Sequence, residues 1–149
     1  MRRPAPGYTV IELMTVIAVL GILTGIAYVR LGPAFTRAKV RGAANLIATD
    51  LQQAQMLAVR HRHPIVVDVN VGATRYAIRT RAADTVYVDV QFGPGTEFPL
   101  DEFTATPATI EFFPNGVSGA DATFTVGIDG YRRQVSLTRA GQIRISSAP

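Results

Sequence analysis

The chain has 149 residues, 48% of them hydrophobic, with no cysteine and no tryptophan. That length suits one modest domain beside one apolar segment and leaves no room for a second domain. The lack of cysteine excludes disulfides, thiolate metal sites, cysteine nucleophiles and the lipidated cysteine of a lipoprotein signal. The formal charge is +4, but Arg2 and Arg3 precede Gly7, so a chain starting at Tyr8 carries 4 − 2 = +2 and argues only weakly for a nucleic-acid partner.

From Tyr8 to Val29 the single formal charge is Glu12. As a helix this run rises roughly 33 Å, close to the thickness of one hydrocarbon core, and predicts a single membrane span. A carboxylate at the centre of such a span costs about 2.5 to 3.5 kcal/mol, so Glu12 calls for a partner. The bland alternative is a plain anchor whose glutamate lies near enough to its end to reach water.

The residues around Glu12 narrow the choice. Arg2 and Arg3, a short leader ending in Gly7, the aromatic Tyr8, Thr9, Glu12 at the fifth place after the glycine, and the run Leu13 to Leu23 occur in order. Together they resemble the class III signal of type IV prepilins and type II secretion pseudopilins. That resemblance implies cleavage between Gly7 and Tyr8 by a prepilin peptidase, methylation of the Tyr8 amine, and a filament-assembly role for Glu12. Family members usually carry Phe at the first mature position, and Tyr8 keeps the ring while adding a hydroxyl. A secretory signal is the rival, because Gly25-Ile26-Ala27 has the small-x-small pattern of a signal peptidase site.

Arg2 and Arg3 flank one side of the span and Arg30, Arg37, Lys39 and Arg41 the other, so the positive-inside rule does not favour an inside leader. The resemblance alone implies a single-pass protein of the bacterial inner membrane with its C-terminal domain outside the cytoplasm, assembled into a periplasmic or extracellular filament. The partners it implies are other pilins or pseudopilins, the peptidase, an inner-membrane assembly platform and membrane lipid.

After Gly32-Pro33, which permits a bend, helical spacing resumes to His61. Val40, Ala44, Ile47, Leu51, Ala54 and Ala58 make one apolar stripe at steps of three and four, with Met56 and Leu57 beside it. Arg41, Asp50, Gln52, Gln53 and Gln55 are expected mostly off it. The chain therefore divides into a leader at 1–7, a span at 8–29, an amphipathic continuation at 33–61 and a β-rich domain at 64–149. The expected fold class is α+β: a long N-terminal helix, membrane-spanning then amphipathic, packed on an antiparallel sheet or sandwich. The passage from Leu51 to Ile65 resembles the segment joining helix to first strand in the GspH/FimT branch of the pseudopilins.

From Pro64 the period becomes two. Strands are predicted at Ile65–Val71, around Tyr76 and Ile78, and at Val86–Phe92, with turns near Gly72 and Asp84. Gly93-Pro94-Gly95 through Thr106-Pro107 is expected to be a surface loop between two sheets. Strands return at Thr109–Phe113, Thr123–Ile128, Gln134–Thr138 and Gln142–Ile145, with Asp129-Gly130 as a two-residue hairpin turn. Phe112-Phe113-Pro114-Asn115-Gly116, Arg132 to Leu137 and Gly141 to Arg144, in that order, again resemble the GspH/FimT family.

No enzyme constellation emerges. His61 and His63 lie between arginines, which oppose a cation, and read as an exposed helix end. Asp101 and Glu102 are adjacent and point apart. No cofactor and no metal are expected. Three function classes remain: a filament subunit of a secretion pseudopilus or a type IV pilus, a DNA receptor, and an anchored domain without a filament. Some family members bind DNA through Gly-Arg-x-Arg. Gly141-Gln142-Ile143-Arg144 keeps only the second arginine, and Arg132, Arg133 and Arg139 add candidate phosphate contacts. Arginines near strand ends also serve to discourage sheet pairing.

Overall fold

The computed structural model describes residues 7–82 and 85–148, with the backbone alone at residues 29 and 30. The leader arginines Arg2 and Arg3 and the turn expected at Asp84 lie outside the described residues. One helix, α1, runs Val10–His61, and eight strands come after it. The chain divides between Phe35 and Thr36 into two compact units.

In the first unit α1 exposes every large apolar side chain described, from Val10 and Ile11 through Leu13, Ile17, Leu20 and Ile22 to Leu31 and Phe35. It contains an 18-residue window of mean hydropathy 2.3 with nothing buried, long and apolar enough to cross a membrane. A core helix of a soluble protein would hide such a surface, since burying each large aliphatic gains about 1.5–3 kcal/mol. Its polar groups are satisfied within the helix: the Thr15 hydroxyl donates to the Ile11 carbonyl at 2.8 Å and Thr24 to Leu20 at 2.7 Å. That is the arrangement an apolar solvent demands. The helix continues through Gly32-Pro33, where a proline has no N–H to give to the ladder.

The second unit begins at Thr36. Val40, Ala44, Ile47, Leu51, Ala54 and Ala58 are all buried, joined by Ala43 and Ala48, whose small side chains let strands come close. The strands are β1 Ile65–Asn70, β2 Arg75–Thr80, β3 Val86–Gln91, β4 Glu102–Thr106, β5 Thr109–Phe112, β6 Ala122–Ile128, β7 Tyr131–Leu137 and β8 Ile143–Ser147. They form two antiparallel four-stranded sheets, ordered β3-β2-β1-β5 and β4-β6-β7-β8. Ile65, Val67, Tyr76 and Ile78 from the first sheet and Phe124, Val126, Val135 and Leu137 from the second share one core with the helix stripe. Asp129 and Gly130 both take positive φ, 52° and 76°, as the tight β6–β7 hairpin requires.

Two expectations are corrected. The stretch from Gly93 to Pro107 is not simply a surface loop: β4 lies within it, paired to β6, and Leu100 and Phe103 are buried. Phe92 meets Phe103 at 5.4 Å and Phe98 edge-on at 6.3 Å, so aromatic packing draws the segment inward. Phe98 in turn lies over Gly42 of α1, where an added Cβ would fall 2.6 Å from its ring. The second correction is Asp50, which is buried and not off the stripe. The Tyr76 hydroxyl donates to its carboxylate at 2.5 Å, tying α1 to β2.

Candidate functional site

Helix α1 begins at a reciprocal cap. The Glu12 N–H donates to the Thr9 hydroxyl at 3.3 Å, while Glu12 Oε2 accepts from the Thr9 N–H and hydroxyl, each at 3.3 Å. Thr9-Val10-Ile11-Glu12 is thus a capping box, in which two otherwise unpaired donors are satisfied and the carboxylate faces the positive end of the helix dipole. Sequence reasoning read Glu12 as a charge that either needs a partner or reaches water, and not as a cap, although the Thr-x-x-Glu spacing before an apolar run signals the box.

The cap has a chemical consequence for the neighbouring bond. Gly7, Tyr8 and Thr9 precede the helical turns, and the first ladder bond runs from the Leu13 N–H to the Thr9 carbonyl at 3.2 Å. The Gly7–Tyr8 peptide is therefore outside the helix, with the Tyr8 ring almost fully exposed. Glu12 stays exposed, and none of the ion pairs among the described residues includes it.

The arginines proposed for nucleic acid do not converge. Arg132 stands on the face of β7 that also carries Gln134 and Ser136, and it is paired with Glu102 at 2.6 Å. Arg144 sits opposite Ser136 on β8, displaced along the strands from Arg132, and its nearest polar partner is Gln142 at 3.5 Å. Arg139 lies in the β7–β8 turn, where its backbone N–H donates to Asp121 at 2.7 Å. Arg133 alternates to the opposite face of β7, half-buried, beside Tyr131. The four are spread over both faces and one end of the sheet.

His61 and His63 stack at 5.5 Å, with Tyr87 at 5.9 Å from His61. Among the described residues no cluster of three or more His, Cys, Asp or Glu is placed to hold a metal. The Asp50 carboxyl is raised in pKa by burial, with the hydrogen bond from Tyr76 opposing part of that rise. Burial first, then the neighbouring Asp50 oxygen, also pushes the Tyr76 hydroxyl up. The pair is a polar strut inside the core, and sequence reasoning missed it although Asp50 falls three residues after Ile47 and four before Ala54, on the stripe's own spacing.

An exposed apolar helix with a capped start, leading into a helix stripe covered by two antiparallel sheets, defines a pilin-like subunit. The profile described as type II transport protein GspH matches residues 43–141, and the chain belongs to that family. The profile described as prokaryotic N-terminal methylation motif matches residues 2–28. No curated protein sequence gives a significant match. Among solved structures, the fold is similar to the type IV minor pilin FimU of Pseudomonas aeruginosa, at 22% identity and TM-score 0.57 over 71% of this chain and 91% of that one. It is also similar to the minor pseudopilin EpsH from the Type 2 Secretion System of Vibrio cholerae, at 14% identity and TM-score 0.54 over 73% and 97% of the two chains. Identities this low speak for the fold alone.

Proposed function

We propose that the chain is a minor pseudopilin of a type II secretion pseudopilus. Prepilin peptidase cuts between Gly7 and Tyr8 and methylates the Tyr8 amine. The apolar helix then holds the subunit in the inner membrane, with residues 64–149 outside the cytoplasm, until it enters a helical filament of related subunits. The observation that carries this reading is Glu12: a carboxylate in an apolar helix, turned toward the helix start and in no ion pair among the described residues. In a lone subunit that end reaches water. In a packed filament it does not, and the Tyr8 amine of an adjacent subunit supplies the missing charge. Removing one partner of a buried pair costs about 3–5 kcal/mol, a loss of incorporation of roughly a hundredfold or more.

The test separates charge from capping. Glu12→Gln keeps an acceptor for the Thr9 N–H and removes only the charge. It is expected to leave processing and the β-domain intact while abolishing co-purification with the other filament subunits. Normal incorporation of Glu12→Gln would return Glu12 to the role of a cap. Mass spectrometry of the native protein tests the cleavage itself: the expected N-terminus is a methylated Tyr8, and a start at Tyr28 would favour a secretory signal.

The FimU likeness favours a second reading, a type IV minor pilin. A DNA-uptake role within it rests on the dispersed arginines. Tight DNA binding at physiological salt, lost in Arg144→Ala, would promote that role above the secretion reading; weak, salt-sensitive binding is expected.

A further inference from the structure

Three guanidinium groups surround one phenol in the second unit, and no carboxylate answers them. The Arg37 guanidinium lies 5.7 Å from the centre of the Tyr131 ring. An Arg133 terminal nitrogen donates to the Tyr131 hydroxyl at 3.4 Å, while Arg133 Nε is buried with no hydrogen-bond partner. Arg41 follows Arg37 by one helical turn, and Arg133 and Arg41 together hold the Tyr131 pKa below its ordinary value. Among the described residues the ion pairs are Arg75–Asp89, Arg79–Asp68, Arg81–Glu111 and Arg132–Glu102, and none uses Arg37, Arg41 or Arg133. Gathering like charges costs free energy, and a bound anion with several acceptor oxygens relieves that cost.

The sequence position indicates which anion. The exposed apolar surface of α1 extends to Leu31 and Phe35, and Arg37 comes two residues after Phe35. Between Glu12 and Asp50 there is no acidic residue, while Arg30, Arg37, Lys39 and Arg41 are all basic. Basic side chains just past a membrane span lie at the depth of the lipid phosphates, where each adds roughly 1 kcal/mol of attraction to an anionic leaflet. We propose that Arg37, Arg41 and Arg133, gathered around Tyr131, bind the phosphate of an anionic phospholipid headgroup. The planar guanidinium fork suits a phosphodiester.

The full-length protein in neutral detergent is titrated with short-chain phosphatidylglycerol, short-chain phosphatidylcholine or inorganic phosphate, and bound lipid is counted by native mass spectrometry. Phosphatidylglycerol is expected to bind in preference to phosphatidylcholine, and Arg37→Gln, Arg41→Gln and Arg133→Gln each to weaken it about fivefold. Arg133→Lys should recover only part of the loss, because it restores charge without the fork. A second readout tracks the Tyr131 phenolate by absorbance, with Tyr131→Phe as the blank: bound phosphatidylglycerol raises the pKa of that hydroxyl. Should Arg133→Gln misfold, the exposed Arg37 and Arg41 variants carry the test. Equal retention of the two lipids, or unchanged binding in all three variants, would overturn the site. Inorganic phosphate binding as tightly as the lipid, or displacement of the lipid by a DNA oligonucleotide, would overturn its assignment to a headgroup.

Discussion

The two stretches of α1 are built from the same apolar letters and obey different rules. Before Phe35 the helix is apolar on all sides and every large side chain described is exposed, whereas from Val40 to Ala58 the apolar stripe residues lie along one side and all are buried. Helix propensity does not explain the contrast in burial: the first stretch is rich in β-branched residues and the second in alanine, yet both are helical. The difference lies in angular distribution: a stripe is completed by one protein surface, but an all-round apolar helix needs a solvent of its own kind. The packed fold and the exposed apolar surface are therefore carried by separate stretches of one helix.

The largest expected effect comes from separating them. A chain starting at Pro33, where proline suits the first helical position, should be soluble without detergent and melt as the full-length domain does, while the full-length chain should require detergent. Melting monitored by circular dichroism checks this. Aggregation at neutral pH with the strands intact would show that the apolar stretch also covers the domain.

Single core substitutions sharpen the contrast. Leu51→Ala, at a site 2% exposed, should lower the stability of the domain by about 2–5 kcal/mol. Leu13→Ala, at a site 58% exposed, should leave domain melting unchanged. Equal losses at both positions would contradict the division of the helix.

Much of this was legible in the sequence because periodicity survives without tertiary knowledge. The stripe from Val40 to Ala58, the strands around Ile65, Tyr76 and Val88, and the Asp129-Gly130 turn are all local patterns. Strand β4 was not legible, because Glu102-Phe103-Thr104-Ala105-Thr106 comes after a crowd of turn residues and carries one large apolar side chain. Its pairing to β6 and the Phe92–Phe98–Phe103 packing are long-range and leave no local signature. Asp50 was misplaced for a different reason: composition marked it polar, while its spacing already put it on the stripe. The N-terminal signal was readable as a pattern of letters, yet the capping role of Glu12 was overlooked beside its charge.

The buried Asp50–Tyr76 strut gives the next effect. Burial raises the Asp50 pKa above its ordinary 3.8, so the folded state holds a proton that the unfolded state has already released. Stability from this group is therefore fullest in acid and is lost as pH rises through the raised value. Asp50→Asn, which retains an acceptor for Tyr76, should flatten that part of the profile and be neutral or stabilising near neutrality. Asp50→Ala strands the Tyr76 hydroxyl and should cost about 1–3 kcal/mol. Paired denaturant titrations of wild type and Asp50→Asn across the acid range check the sign, and a wild-type advantage that grows toward neutral pH would refute it.

The smallest effect separates the two uses of the helix start. In Thr9→Ala the hydroxyl that accepts from the Glu12 N–H is gone, and loss of such a cap costs about 1 kcal/mol. That loss is confined to the first turn, far in sequence from every buried residue of the domain, so domain melting should not move. Amide exchange at residues 10–13 in detergent should instead quicken about fivefold, the rate equivalent of that free energy. Glu12→Gln retains an acceptor for the Thr9 N–H, so its exchange should stay near wild type while filament incorporation is lost. Thr9→Ala keeps the carboxylate, so it should still assemble, more slowly to the extent that a frayed turn must be ordered first. The two variants thus dissociate in opposite directions. If Thr9→Ala blocked incorporation as fully as Glu12→Gln, order in the first turn, and not the Glu12 charge, would be what the filament requires.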